Sequence, residues 1–234
     1  NKLNVTSGII ACLFAVESAA QTWTGGGGDN FWNTSGNWIG GAPSNSSATD
    51  IIFDGSTGIN NSNDIVNPFL LRNLTFNASA GEFILGGWPL ELYGNVGNNS
   101  SGLQTINNNI TLGSNSTWSA ASGDILYSGN MAGQSYTLIK AGASTLMLTG
   151  TNTVTLPAGG ITGGGTLVLS GGMFTNPTVA SAVALFGSAN NTLIITNGAR
   201  VFQHAPVVNQ ASCTILVSGT GTVWDMLAHG VNTE

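Results

Sequence analysis

Three acids crowd one stretch of this 234-residue chain: ATDIIFDGSTGINNSND holds Asp50, Asp54 and Asp64. Carboxylates at that density can do two kinds of chemistry. Two of them facing a glycosidic bond cleave it, and several of them with backbone carbonyls hold a hard cation such as calcium. Asp50 and Asp54 flank a short apolar run, however, which is where turn-capping residues sit. The remaining acids, Glu17, Asp29, Glu82, Glu91, Asp124, Asp225 and Glu234, form no motif with a nearby base. GGGGDN places Asp29 one position early for the calcium repeat GGxGxDx. His204 and His229 have no Cys or His partner at metal-ligand spacing and read as solvent-facing or turn residues. There is no GxSxG elbow and no phosphate loop; the glycine runs at 25–28 and 163–165 precede no helix and read as turns. No catalytic, cofactor-binding or metal-ligating set is assigned. A polysaccharide-active site stays open as an alternative if the fold gathers acids in a cleft with Lys140 or Arg200.

Aromatic residues offer a second chemistry, stacking on sugar rings. Trp88, Tyr93, Trp118 and Tyr127 are the candidate glycan contacts, provided they stand exposed and coplanar on one face. Trp23, Trp32 and Trp38 lie closer together, in TWTGGGGDNFWNTSGNWIGGAP. They read as a structural cap, with Phe31 and Phe53 beneath them. A glycan platform is the competing reading. Each indole N–H needs one partner if the rings are buried.

Composition narrows the partners. Only 6 % of residues are charged, against about 25 % in ordinary soluble domains. The polar surface must come from Asn, Ser and Thr. Net charge is −6, and the four cations, Lys2, Arg72, Lys140 and Arg200, are scattered. Nucleic acid and anionic membrane surfaces both require clustered cations. The opening NKLNVTSGIIACLFAVESAAQ has a basic start, an apolar run and small residues before a cut, the three parts of an export signal over 1–20. The run is too short to span a bilayer, which takes about 20 residues. The chain is therefore expected to be exported, outside the cell or on its surface. The missing initiator Met and the NTE ending suggest a piece of a longer reading frame. After cleavage Cys213 is the remaining cysteine, so no disulfide within the chain is expected, and its apolar surroundings predict a buried small hydrophobe.

The elements that must position these residues are short. Apolar residues alternate in strands predicted at 51–53, 70–76, 83–85, 90–93, 104–106, 110–112, 117–119, 125–127, 137–140, 145–148, 154–156, 166–169, 193–196, 200–202, 214–217 and 222–225. One turn of helix is allowed at 180–185. Spacings of roughly 7 to 12 residues fit a sandwich, a barrel or a solenoid. Brevity of the strands, the lack of long return connections and the recurring phrases ITLGSNST, LMLTGTNT, LVLSGG and LIITNGA favour an all-β solenoid. Such a stack pairs each rung with the next about 4.8 Å away, with ladders of apolar side chains inside and Asn and Thr laddering at corners. Its open ends need a cap. The expected layout is a capping segment over 21–58 and solenoid repeats over 59–234.

TWTGGGGDNFWNTSGNWIGGAPSNSSATDIIFDG, followed by LTFNASAGEFILGGWPLELYGNVGNNSSGLQTINNNITL, resembles the N-terminal part of bacterial proteins with autotransporter-associated β-strand repeats. LIKAGASTLMLTGTNT resembles the core phrase of that repeat, with Lys140, Gly142, Leu146, Leu148, Gly150 and Asn152 at its positions and Ser144 where a glycine is usual. The aromatic turn expected after Asn152 is absent. The tail NTLIITNGARVF…ILVSGTGTVWD resembles a second repeat type through Asn197-Gly198-Ala199 and the run from Gly219 to Trp224. The resemblance implies a right-handed parallel β-helix, a surface passenger exported to or through the outer membrane, of which many are adhesins. It implies no catalytic residues and no cofactor. Expected partners are a surface polysaccharide, a host or neighbouring cell surface, or another copy of the chain.

Overall fold

The structure, a computed structural model, describes residues 20–176, 183–203, 207–209, 212–226 and 232–233. The expected export segment, apart from Ala20, and both histidines lie outside the described residues, as do residues 180–182 of the helical turn allowed at 180–185, where Val183–Ala184 is a strand.

Alternation within three- to five-residue segments builds the strands. In Ile110–Leu112 and Ile125–Tyr127 the two end residues are buried and the middle one is half-buried. A corner forms where the alternation resets. Arg72 and Asn73 both turn outward, so the single strand expected at 70–76 becomes two, Phe69–Leu71 and Asn73–Phe76. Each strand then pairs in parallel with its equivalent about one coil later. Leu74, Val96, Trp118 and Lys140 are successive register partners, 22 residues apart each time.

The result is a β-solenoid of about seven turns with three strand rows. The first row runs through Gln21–Trp23, Asp50–Phe53, Asn73–Phe76, Val96–Asn98, Ser116–Ala120 and the end of Met131–Ala141. The second runs from Asn60–Asn63 through Ile84–Gly87, Gln104–Ile106, Ile125–Tyr127, Thr145–Leu148, Thr166–Ser170 and Thr192–Thr196 to Thr214–Val217. The third runs through Phe69–Leu71, Leu90–Leu92, Ile110–Leu112, the start of Met131–Ala141, Asn152–Thr155, Met173–Asn176, Arg200–Gln203 and Val223–Asp225.

The core is a set of ladders, one per inward position. In the second row Asn61, Leu85, Ile106, Tyr127, Leu148, Leu169, Ile195 and Val217 stack in register. Asn60–Asn63 escaped the sequence reading because its inward residues are Asn61 and Asn63, both buried. Val96–Asn98 escaped for the same reason, with Asn98 inward.

Corner asparagines ladder through backbone, not through one another. The side-chain oxygen of Asn73 accepts from the N–H of Asn95, Asn95 from Thr117, Asn109 from Asn130, and Asn130 from Thr151, at 2.8 to 3.0 Å. Each such bond ties one coil to the next at the corner, where the strand ladder is interrupted.

At the N-terminal end Gln21–Trp23 pairs in parallel with Asp50–Phe53 on one side and antiparallel with Trp38–Ile39 on the other. That reversed strand ends the stack on this side and blunts the open edge. Asp50–Phe53, within the capping segment expected over 21–58, pairs in parallel with Asn73–Phe76 in the first row.

Candidate functional site

The tryptophan segment is a buried cap. Trp23 and Trp32 are fully buried and Trp38 nearly so. Trp38 meets Trp23 and Trp32 edge-on, with ring centroids 5.0 and 5.7 Å apart. Phe53 packs against all three, and Phe69 edge-on against Trp32. Every indole N–H finds an acceptor: Trp23 donates to Thr57 O at 3.1 Å, Trp32 to Asn61 Oδ1 at 2.7 Å, and Trp38 to Trp32 O at 2.8 Å. No face of this trio is open to a sugar. Phe53 lies beneath it as expected, whereas Phe31 does not and stands half-exposed.

Asp29 organises the glycine loop that carries the cap. Its carboxylate accepts from Phe31 N, Thr34 Oγ1 and Asn37 Nδ2 at 2.8 to 3.1 Å, and the Phe31 N–H is the main cause holding its pKa below the usual range. Gly25 adopts φ +65° under Thr57 O, a space and a conformation that a side chain would not tolerate.

The expected aromatic contacts divide. Trp88 is 45 % exposed. Tyr93 is half-buried and donates to Glu91 Oε1 at 2.6 Å. Trp118 and Tyr127 are wholly buried and pack edge-on at 5.2 Å, so their assignment as glycan contacts is corrected. The alternation in Ser116–Ala120 and Ile125–Tyr127 turns both rings into the core. Tyr127 hydroxyl donates to Asn130 O at 2.7 Å, and burial raises its pKa.

The three clustered acids hold three separate corners. Asp50 receives Arg72 through Nε at 2.9 Å and a terminal nitrogen at 2.5 Å, plus Asn73 Nδ2 at 2.9 Å; the Arg72 bond chiefly holds its carboxyl below the usual range. Asp54 accepts from Ser79, Asn77 and Gly55 N. Asp64 accepts from Asn33 N at 2.8 Å. This is turn capping. Among the described residues no three potential ligands converge to hold a metal ion.

Lys140 does not line a cleft. It points into the core, in register with Trp118 on one side and bridged to Ile161 on the other. Its ammonium donates to Gly142 O at 2.5 Å. Burial lowers its pKa to about 8, against an opposing pull from Asp124. Asn152, also inward, donates to Gly150 O at 2.7 Å. Lys140 and Asn152, at the two ends of the phrase KAGASTLMLTGTN, thus turn inward and bond the carbonyl of a nearby glycine. Arg200 is exposed at the start of Arg200–Gln203. Cys213 is half-buried, and its thiol donates to Ser188 O at 3.3 Å.

Open concave surface lies on the strand rows, which sequence reasoning did not single out. A groove of about 480 Å³ runs over four coils of the first row, past Asp50, Asn73, Asn95 and Thr117, with Gly97 as its dent. A similar groove crosses the third row along Thr111, Ala132 and Thr153. The signal that could have located both is a Gly or Ala at an outward position between larger neighbours. Among the described residues no helix is long and apolar enough to cross a membrane. No protein-family model, curated protein or solved structure matches the chain.

Proposed function

We propose that this chain is an exported, non-catalytic β-solenoid that serves as a structural and adhesive module at a bacterial surface. The observation that carries this reading is the division of labour in the stack. Inward positions form ladders that hold the rod together, while the outer face is built almost entirely from uncharged polar and apolar side chains at rung spacing. Rods of this kind bind through many repeated weak contacts. The acids, the natural source of hydrolytic or lyase chemistry, are each committed to a corner or a turn in the densest cluster, and Lys140 is inside the core. The resemblance to autotransporter-associated repeats supports the surface location, as does the export-like segment over 1–20. A sugar platform of aromatics has less support, because two of its four members are core residues.

Export is tested by fusing residues 1–20 and the full chain to a phosphatase that is active only outside the bacterial cytoplasm. Activity with cleavage near Ala20 is expected. An inactive, uncleaved fusion overturns the surface reading.

A further inference from the structure

The outward face of the second strand row is unlike the other two. Its middle positions form one in-register rank, Leu126, Met147, Val168, Ile194 and Leu216. On one side runs a rank of threonines, Thr145, Thr166, Thr192 and Thr214. On the other run hydroxyls at or just past the strand ends, Ser128, Thr149, Ser170, Thr196 and Ser218. Ser170 and Thr196 are register partners, and Ser218 Oγ donates to Thr196 Oγ1 at 3.3 Å. Asp124 is the one acid among the residues that line the shallow depression on this face, about 160 Å³ between Leu103, Leu126 and Met147. Leu216, on the last rung of this row, is 47 % exposed; Leu126, Met147 and Ile194 are half-buried, and Val168 is closed over by its neighbours at 6 %.

We propose that this face binds an extended, neutral, β-linked polysaccharide lying along the solenoid axis. The proposal rests on the adhesive reading above and names the ligand. Three features select it. An apolar centre between two hydroxyl edges is the cross-section of a flat pyranose ribbon, whose C–H face is apolar and whose equatorial hydroxyls point sideways. The hydroxyl ranks stand about 13 Å apart, four strand residues, which places the edge hydroxyls of one ribbon within hydrogen-bond reach of both. Rungs repeat about every 4.8 Å, close to the advance of one sugar per rung in such a chain, so contacts add along the axis. Near-absence of charge removes the attraction a polyanion or a basic peptide would need.

A second copy of the chain fits less well. Five rungs by five residues present roughly 400 Å² of planar face, about half of what each partner contributes to a standard stable protein interface. A polymer can run beyond the face and be met again by other copies, so it gains from the repeat where a single copy does not.

The test is depletion of the full chain from solution by microcrystalline cellulose and by chitin, with starch granules as the α-linked control, at low and high salt. Binding to at least one β-linked polymer, unchanged by salt and absent on starch, is expected. Met147→Lys and, at the more exposed position, Leu216→Lys should each weaken it at least tenfold. Thr153→Lys, on the outward face of the third row, should leave it unchanged. Circular dichroism and melting of each variant separate loss of binding from loss of fold. Failure to bind either β-linked polymer, equal loss in Thr153→Lys, or a dimer in sedimentation that Met147→Lys dissociates, overturns the proposal. Attachment to intact bacterial or host cells that survives Met147→Lys would remove this ligand and leave the adhesive reading standing; no attachment to any surface would remove both.

Discussion

Removing the charge of Lys140 should change how the rod responds to alkali. The ammonium is buried between the Trp118 and Ile161 rungs, with Gly142 O as its acceptor. Burial disfavours the charged form, which lowers its pKa from 10.5 to about 8. The unfolded chain then binds more protons than the folded one between these two values, so stability rises with pH across that window. Asp124 is the charged group that opposes the shift. Integrated from pH 8 to pH 10, the gain is about 2 kcal/mol, on the order of 4–8 °C in melting temperature for a chain of this size. Above pH 10 the buried Tyr127 works the other way. Its pKa is raised by burial, so the unfolded chain loses that proton first and the gain is eroded. Lys140→Met keeps an unbranched side chain at the site and removes the titration. Melting of both proteins at half-unit steps from pH 7 to 10 reads the difference, in which the tyrosine contribution cancels. Parallel curves for the two proteins would show that the ammonium is solvated in the folded state and would refute the buried placement.

Further outcomes follow from other residues. Trp32→Ala should cost about 3–5 kcal/mol locally, through a large cavity and the lost donor to Asn61, and hydrogen exchange should report fraying at the N-terminal rungs first. Gly150→Ala should fail to fold or lose well over about 3 kcal/mol, because an added Cβ would sit within the radius of Gly129 O in the coil above, while Gly97→Ala, with open space around it, should change thermal stability by under about 0.5 kcal/mol. Asp50→Asn should cost less than about 1 kcal/mol, because its partner Arg72 is half-exposed. Since the Asp50 carboxyl is held below its usual range, its contribution is present above about pH 4 and fades as pH falls further; melting between pH 6 and 2 should show a flatter acid limb in the variant.

Several features of the fold were legible in the residues because they are local. Strands at 104–106, 110–112, 125–127, 145–148 and 214–217 coincide with the structure, since each is a short run rich in apolar or β-branched residues between turn formers. The cap was legible because three tryptophans in a glycine-rich loop have few other ways to be buried. Strands carrying inward asparagine were not legible, because alternation of polarity is the signal and Asn61, Asn63 and Asn98 hide it. The aromatic site was misjudged at Trp118 and Tyr127 because a tryptophan or tyrosine reads the same whether its ring packs on a partner rung or faces water.

What the residues determined unaided is a chain that must stack: short alternating segments, glycine and asparagine at the corners, and too little charge for an ordinary globule. Alternation assigns each side chain to one of two faces, but it does not say which face is inside or what lies on the next rung. The partner rung is some 21 or 22 residues away in most of the stack, so the ladders, the inward Lys140, the Trp32 bond to Asn61 and the hydroxyl-edged outer face exist only once the coils are piled in register. Register is a property of pairs of segments, set when whole apolar ranks are buried together, and no single segment carries it.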